Sequence, residues 1–172
     1  MAAGLTLPAV NRMSAAEFRQ ALGGVFEHSP WIAERAWTAR PFASRAALHA
    51  AMTRAVREAT REEQLALLCA HPDLAGRASR AGELTAASRA EQSSAGLDRL
   101  SDAEYERFGR LNAAYREKFG FPFIIAARRH DTAAILAAFE RRLGHTREAE
   151  IEAALAEVAN ITRLRLDALV TA

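Results

Sequence analysis

Along this chain a Ser or Thr is repeatedly followed, three residues later, by Glu. That spacing marks a place where a helix can begin. The hydroxyl accepts from the third helical N–H, and the Glu carboxylate reaches back to the cap N–H, so two orphaned donors are satisfied together. Ser14/Glu17, Thr60/Glu63, Ser88/Glu91 and Ser101/Glu104 all have it. Ser29-Pro30 predicts a further start, with Pro preset at the first helical position. Ser44 predicts another, and Asp131 and Thr146 can cap the last two helices. Leu48, Met52, Val56 and Ala59 recur at helical spacing. Stops fall at Gly23-Gly24, before Pro41, before Pro72 and at Gly120. Alanine is abundant while Val and Ile are scarce, which favours helix over strand. The expectation is an all-α chain of roughly seven to nine helices in one compact domain over 1–172. Residues 1–12 are expected to be a flexible or loosely packed N-terminus.

Composition removes several function classes. With 50% hydrophobic and 26% charged residues the chain is globular rather than disordered. No apolar run approaches the roughly 18 residues of a membrane span, and no basic start followed by an apolar run suggests a signal peptide. Cys69 is the only cysteine, which leaves no disulfide framework and points to a reducing, cytoplasmic compartment. Net charge is +2, and the basic residues are almost all Arg spread along the chain, so no nucleic-acid partner is expected. Phosphate-binding glycine loops and a nucleophile elbow are absent. Cys69, His71 and Asp73 sit at alternate positions, but no second pair completes a metal site. His28, His49, His130 and His145 are scattered singly, so no metal is expected.

Three polar residues stand out. Ile151, Leu155, Val158, Thr162, Arg165 and Leu169 form one helical stripe, and Arg165 lies about 20° from Val158 around the axis. An arginine on that face is either a structural ion pair or side chain reaching past the core, or a buried anion-binding group. Pro72 forces His71 into an extended conformation after a helix end, where its imidazole either caps the preceding helix or faces a cleft as a titratable group. Glu91 is either the third member of the Ser88 capping box or a carboxylate aimed at a ligand or at His71.

Six segments occur in order: Phe26-Glu-His-Ser-Pro-Trp31, Arg40-Pro-Phe42, Ala70-His-Pro-Asp-Leu-Ala-Gly76, Glu91-Gln-Ser-Ser-Ala-Gly-Leu97, Phe119-Gly-Phe-Pro-Phe-Ile-Ile125 and Ile161-Thr-Arg-Leu-Arg-Leu166. In these the chain resembles the OHCU decarboxylases, from about Asn11 to Val170. OHCU is 2-oxo-4-hydroxy-4-carboxy-5-ureidoimidazoline, an intermediate of urate breakdown. The resemblance implies an all-α fold, usually a homodimer, with no metal and no organic cofactor. The implied reaction yields (S)-allantoin and carbon dioxide. It places the catalytic histidine on His71, the catalytic glutamate on Glu91 and the substrate-binding arginine on Arg165. The implied ligand pocket adds Pro72, Ser88, Gln92, Phe123, Ile124, Ile125, Ala126 and Ala127. Arg163 departs from the family pattern; it lies off the stripe, where solvent is expected. On this reading Arg165 waits in a water-filled cleft for substrate, so replacing it should barely harm folding. A non-catalytic helical ligand-binding or scaffold domain is the competing reading, and it does not need His71, Glu91 and Arg165 together.

Overall fold

The structure is a computed structural model, and it describes residues 4–172. Ten α-helices follow one another among the described residues. They are α1 (Leu7–Arg12), α2 (Ala15–Leu22), α3 (Trp31–Trp37), α4 (Arg45–Arg57), α5 (Arg61–Cys69), α6 (Arg77–Ala81), α7 (Ala86–Ser94), α8 (Asp102–Phe119), α9 (Thr132–Arg142) and α10 (Arg147–Leu169). One 3-10 turn spans Ala127–Arg129, and β1 (Leu5–Thr6) pairs in parallel with β2 (Val170–Thr171), Leu5 opposite Val170. The fold is all-α apart from this short ladder. Eight helices have seven residues or more; α1 and α6 raise the total above the expected seven to nine. α6 buries no side chain, so it leaves no apolar stripe in the sequence to reveal it.

The capping signals act as expected at Ser14, Thr60 and Ser101, each a complete reciprocal box, and at Ser44 and Asp131 as single caps. Thr146 accepts from Ala149 N–H at the start of α10. Two starts need correction. Ser29 does not cap α3 with its side chain; its hydroxyl donates to Glu27 C=O. The cap of α7 is Thr85, three residues before Ser88, because the helix-forming Ala86 and Ala87 extend the helix backwards. Thr85 Oγ1 accepts from Ser88 N–H at 3.2 Å, so Ser88 and Glu91 form no capping box.

The chain divides into two compact units. The first comprises the residues up to Ala70 together with Thr162–Ala172, and the second is His71–Ile161. In the first, α2 packs on α3 and α3 on α4 around Phe18, Leu22, Ile32, Leu48 and Met52, all buried. Val10 is fully buried and Asn11 bonds both the N–H and the C=O of Phe42, so residues 7–12 are anchored helix rather than a loose terminus. Met1 to Ala3 of that expected segment lie outside the described residues. The second unit is centred on rings: Phe123 stacks on Phe139 at 4.0 Å, and Tyr115 meets Phe121, Phe123 and Phe139 edge-on.

On α10 the expected stripe drifts. Ile151, Val158 and Thr162 are buried, but Leu169 is 41% exposed, and Leu166 and Val170 take its place inside. Ile151 and Leu169 are five full turns apart, so the repeat itself keeps phase and it is the buried face that moves by one residue.

Glu63 serves two partners, the backbone N–H of Thr60 and the guanidinium of Arg35. The Arg35 hydrogen bonds and then the capping N–H pull its pKa down to about 2 from an ordinary 4.5. Its folded pKa lies below its unfolded one, so this contribution to stability is present above about 4.5 and is lost as pH falls towards 2. Glu63→Gln keeps a capping acceptor but cannot titrate. Thermal melts between pH 5 and 2 should then fall less steeply than the parent's. Parallel curves would refute this.

Candidate active site

α5 ends at Cys69, and Pro72 prevents helix from continuing through His71. The loop that follows is tied on two sides. From α7, Gln92 accepts from Ala75 N–H at 2.9 Å and donates to Asp73 C=O at 3.2 Å. From α8, Asn112 donates to Leu74 C=O at 2.9 Å, and Arg116 Nε meets Asp73 Oδ1 at 2.8 Å. Ala75 holds a left-handed conformation, φ 50°, which costs a non-glycine residue about 1–2 kcal/mol. The Gln92 bond on its N–H helps to hold that turn. His71, at the head of the loop, is buried, 6% exposed.

Ser88, Glu91 and Gln92 are spaced three and four residues apart, so they share one face of α7, and all three are buried. A helix whose only task is packing buries apolar side chains on such a face. The structural reading of Glu91 as a cap fails, because the helix starts at Thr85; Glu91 is a mid-helix buried carboxylate. The loop after His71 is thus latched to this polar face, and α7 also packs against the turn Ala127–Arg129. Gln92, expected as a substrate contact, spends both ends of its amide on the loop.

The apolar segment Phe123, Ile124, Ile125, Ala126 and Ala127 is buried throughout. Sequence reasoning missed what holds it. Arg142 Nη1 donates to Ile124 C=O at 2.7 Å, and its guanidinium lies 4.5 Å from the centre of the Phe123 ring. Glu157 Oε2 accepts from Ala126 N–H at 2.8 Å. Arg142 is paired with Glu150, a fully buried carboxylate that also accepts from Tyr115 Oη and meets His145 Nδ1. Burial alone would raise the Glu150 pKa; the hydrogen bonds from Arg142, Tyr115 and His145 outweigh it and bring it below its ordinary value. The same burial and the carboxylate beside it push the Tyr115 hydroxyl well up. Nothing in the local sequence marks these charges, because the groups they hold lie on other elements.

Arg165 belongs to the first unit. Its Nη1 meets Glu27 Oε2 at 2.7 Å and Val25 C=O at 3.3 Å, and its side chain is 8% exposed against 2% for Glu27. The expected open, water-filled setting is therefore corrected: Arg165 has a resident buried carboxylate. Glu27 lies inside the segment Phe26 to Trp31, which was the one available hint. Arg163 is partly exposed and pairs with Asp167 one turn on.

Pro72 also lines a cavity of about 520 Å³ with Asp73, Tyr105, Asn112 and Arg116, but His71, Ser88, Glu91 and Gln92 do not. That cavity backs the loop rather than enclosing the polar face. Among the described residues no group of three His, Cys, Asp or Glu side chains could hold a metal ion, and no helix is long and apolar enough to cross a membrane.

A sequence model of the family described as OHCU decarboxylase matches residues 11–167. A Haloferax volcanii protein named 2-oxo-4-hydroxy-4-carboxy-5-ureidoimidazoline decarboxylase is 53% identical over 94% of this chain and 94% of its own. The crystal structure of an OHCU decarboxylase in the presence of (S)-allantoin superposes with a TM-score of 0.68 at 25% identity, over 91% of this chain and 98% of that one. The crystal structure of an (S)-allantoin synthase gives 0.76 at 34% identity, covering 97% of this chain and 54% of the longer one. With matches along nearly its whole length, by sequence and by fold, the chain belongs to the OHCU decarboxylase family.

Proposed function

We propose that this chain converts OHCU to (S)-allantoin and carbon dioxide, a carboxy-lyase step in urate breakdown. The observation that carries the reading is the buried polar face of α7, Ser88, Glu91 and Gln92, latched to the loop that begins at His71. The solved relative studied with (S)-allantoin supports a ligand of this class.

The substrate's carboxylate sits on a carbon that also bears a hydroxyl and adjoins a ring C=N. As carbon dioxide leaves, the bonding pair flows towards that C=N and its nitrogen takes up a proton; the hydroxyl then loses its proton to become C=O as a second proton is delivered to the ureido-bearing carbon. The substrate supplies its own electron sink, so the step needs no cofactor. What remains is proton management and orientation. His71 moves protons, since imidazole titrates near neutrality. Glu91 fixes the imidazole's charge and tautomer or receives the ureido N–H groups. Arg165, oriented by Glu27, offers its fork to a carboxylate or ureido carbonyl. Ser88 and Pro72 complete the surround, and main-chain groups of Phe123 to Ala127 read the ring edge. The single cysteine supports a reducing, cytoplasmic setting, and the family resemblance supports a homodimer.

The test is circular dichroism of allantoin formed from freshly generated OHCU, with and without the protein, before and after dialysis against a strong chelator. A single enantiomer, formed faster and insensitive to chelation, is expected. A racemate at the uncatalysed rate would leave only a helical ligand-binding chain. Activity lost to the chelator and restored by a divalent metal would overturn the cofactor-free mechanism.

A further inference from the structure

Two side chains with no part in the proton chemistry take hold of the segment Phe123 to Ala127 at successive peptides. Arg142 binds the C=O of Ile124, and Glu157 binds the N–H of Ala126. A trans peptide is planar, with its C=O and N–H pointing in opposite directions. The peptide joining Ile124 to Ile125 therefore aims the Ile125 N–H away from Arg142. The peptide joining Ile125 to Ala126 aims the Ile125 C=O away from Glu157. The Ala126 C=O is already taken by Arg129 N–H, and that of Ala127 by His130 N–H. Ile125 is 5% exposed, and neither its N–H nor its C=O has a protein partner among the described residues. Buried main-chain polar groups are almost always satisfied, so this donor and acceptor call for a ligand or water.

Resting on the function proposed above, we propose that Arg142 and Glu157 are positioning residues which aim the main chain of Ile125 at the N–H/C=O edge of a cyclic amide, the hydantoin-type ring of the ligand. Neither touches the reacting atoms. Arg142 is held for this by what surrounds it: the buried Glu150 carboxylate, braced by Tyr115 and His145, and the face of Phe123. A guanidinium so fixed cannot follow a shifting carbonyl, so the carbonyl stays where the guanidinium is. Glu157 is half-buried on α10, and its loss leaves no buried charge stranded.

Glu157→Ala and Glu157→Gln separate this from a merely structural role. Three readouts are taken: KM and kcat for OHCU, Kd for (S)-allantoin by calorimetry, and hydrogen exchange at the Ala126 amide. Glu157→Ala should raise KM and Kd about tenfold, the scale of one misaligned hydrogen bond pair. It should speed exchange at Ala126 by at least about tenfold, with kcat within about threefold and melting lowered by only a few degrees, the cost of one unsatisfied buried N–H. Glu157→Gln should restore most of the binding, because its amide oxygen still accepts. Arg142→Lys, if it folds, should likewise raise KM more than it lowers kcat; if it unfolds, the Glu157 pair decides alone. A Glu157→Ala variant with parental KM and Kd overturns the proposal while the decarboxylase reading stands. A parent protein that neither turns over OHCU nor binds (S)-allantoin sinks both.

Discussion

His71→Asn should lower kcat for OHCU decarboxylation by about 10²-fold or more in a protein that still folds. Asn is close to imidazole in size and can keep one hydrogen bond, but it cannot gain or lose a proton near neutrality. The loop that presents position 71 is tied by Gln92, Asn112 and Arg116 to its downstream residues, not to the imidazole, so its path should survive the change. The melting temperature should stay close to the parent's, and the loss should appear in kcat rather than KM, as for a group used mainly in the transition state. The residual product should drift towards a racemate, since uncatalysed protonation has no preferred face. Steady-state rates with enantiomer analysis decide it. Near-parental turnover would reduce His71 to a helix-end residue.

The second large effect is on stability. Arg165→Met should cost about 3–5 kcal/mol, because it leaves the Glu27 carboxylate buried without its counter-charge. For a chain of this size that is a fall in melting temperature of about 6–20 °C. The family resemblance supported the opposite outcome, since an arginine reserved for substrate leaves nothing behind when it goes. Glu27→Gln combined with Arg165→Met should recover part of the loss, because the stranded charge is gone. Arg163→Met is the internal control; its partner Asp167 is partly exposed, and such i,i+4 pairs are worth only about 0.3–0.5 kcal/mol. Calorimetric melts of the four variants suffice. An Arg165→Met protein that melts with the parent, while the double variant is worse, would remove Glu27 as the significant partner. Arg165→Lys should regain stability better than turnover, because a point charge can neutralise Glu27 but cannot reproduce a two-pronged contact.

What could be read from the sequence was mostly local. The boxes at Ser14, Thr60 and Ser101 need only residues three apart, and all three are present as expected. Ser88 failed although it carries the fuller local signature, because Ala86 and Ala87 extend the helix back to Thr85, which caps it instead. The buried face of Ser88, Glu91 and Gln92 was visible residue by residue, but burial is a property of what packs against a helix, and no spacing encodes it. Arg165 was singled out correctly as a cation on an inward face. Its partner lies 138 residues away, so whether it waits for a ligand or answers a carboxylate was not decidable from periodicity. Arg142, Glu150 and Glu157 gave no signal for the same reason. Each looks like an ordinary helix-surface charge until its partner is brought alongside: Ile124 and Ala126 for Arg142 and Glu157, and Arg142 itself for Glu150.

The first unit is interrupted in sequence, and that fixes an order of events on the ribosome. Residues up to Ala70 are made first, yet Thr162–Ala172, which complete the same unit, come last. At about 5–20 residues per second, Glu27 is synthesised roughly 7–28 s before Arg165. Throughout that interval its carboxylate lacks its cation, β1 lacks β2, and Arg45 lacks the carbonyl of Val170. Burying Glu27 early would be costly, so the N-terminal helices have reason to stay open until the final residues emerge. His71–Ile161 is contiguous and faces no such delay. A nascent chain stalled before Thr162 would therefore carry one unit able to close and one that must wait.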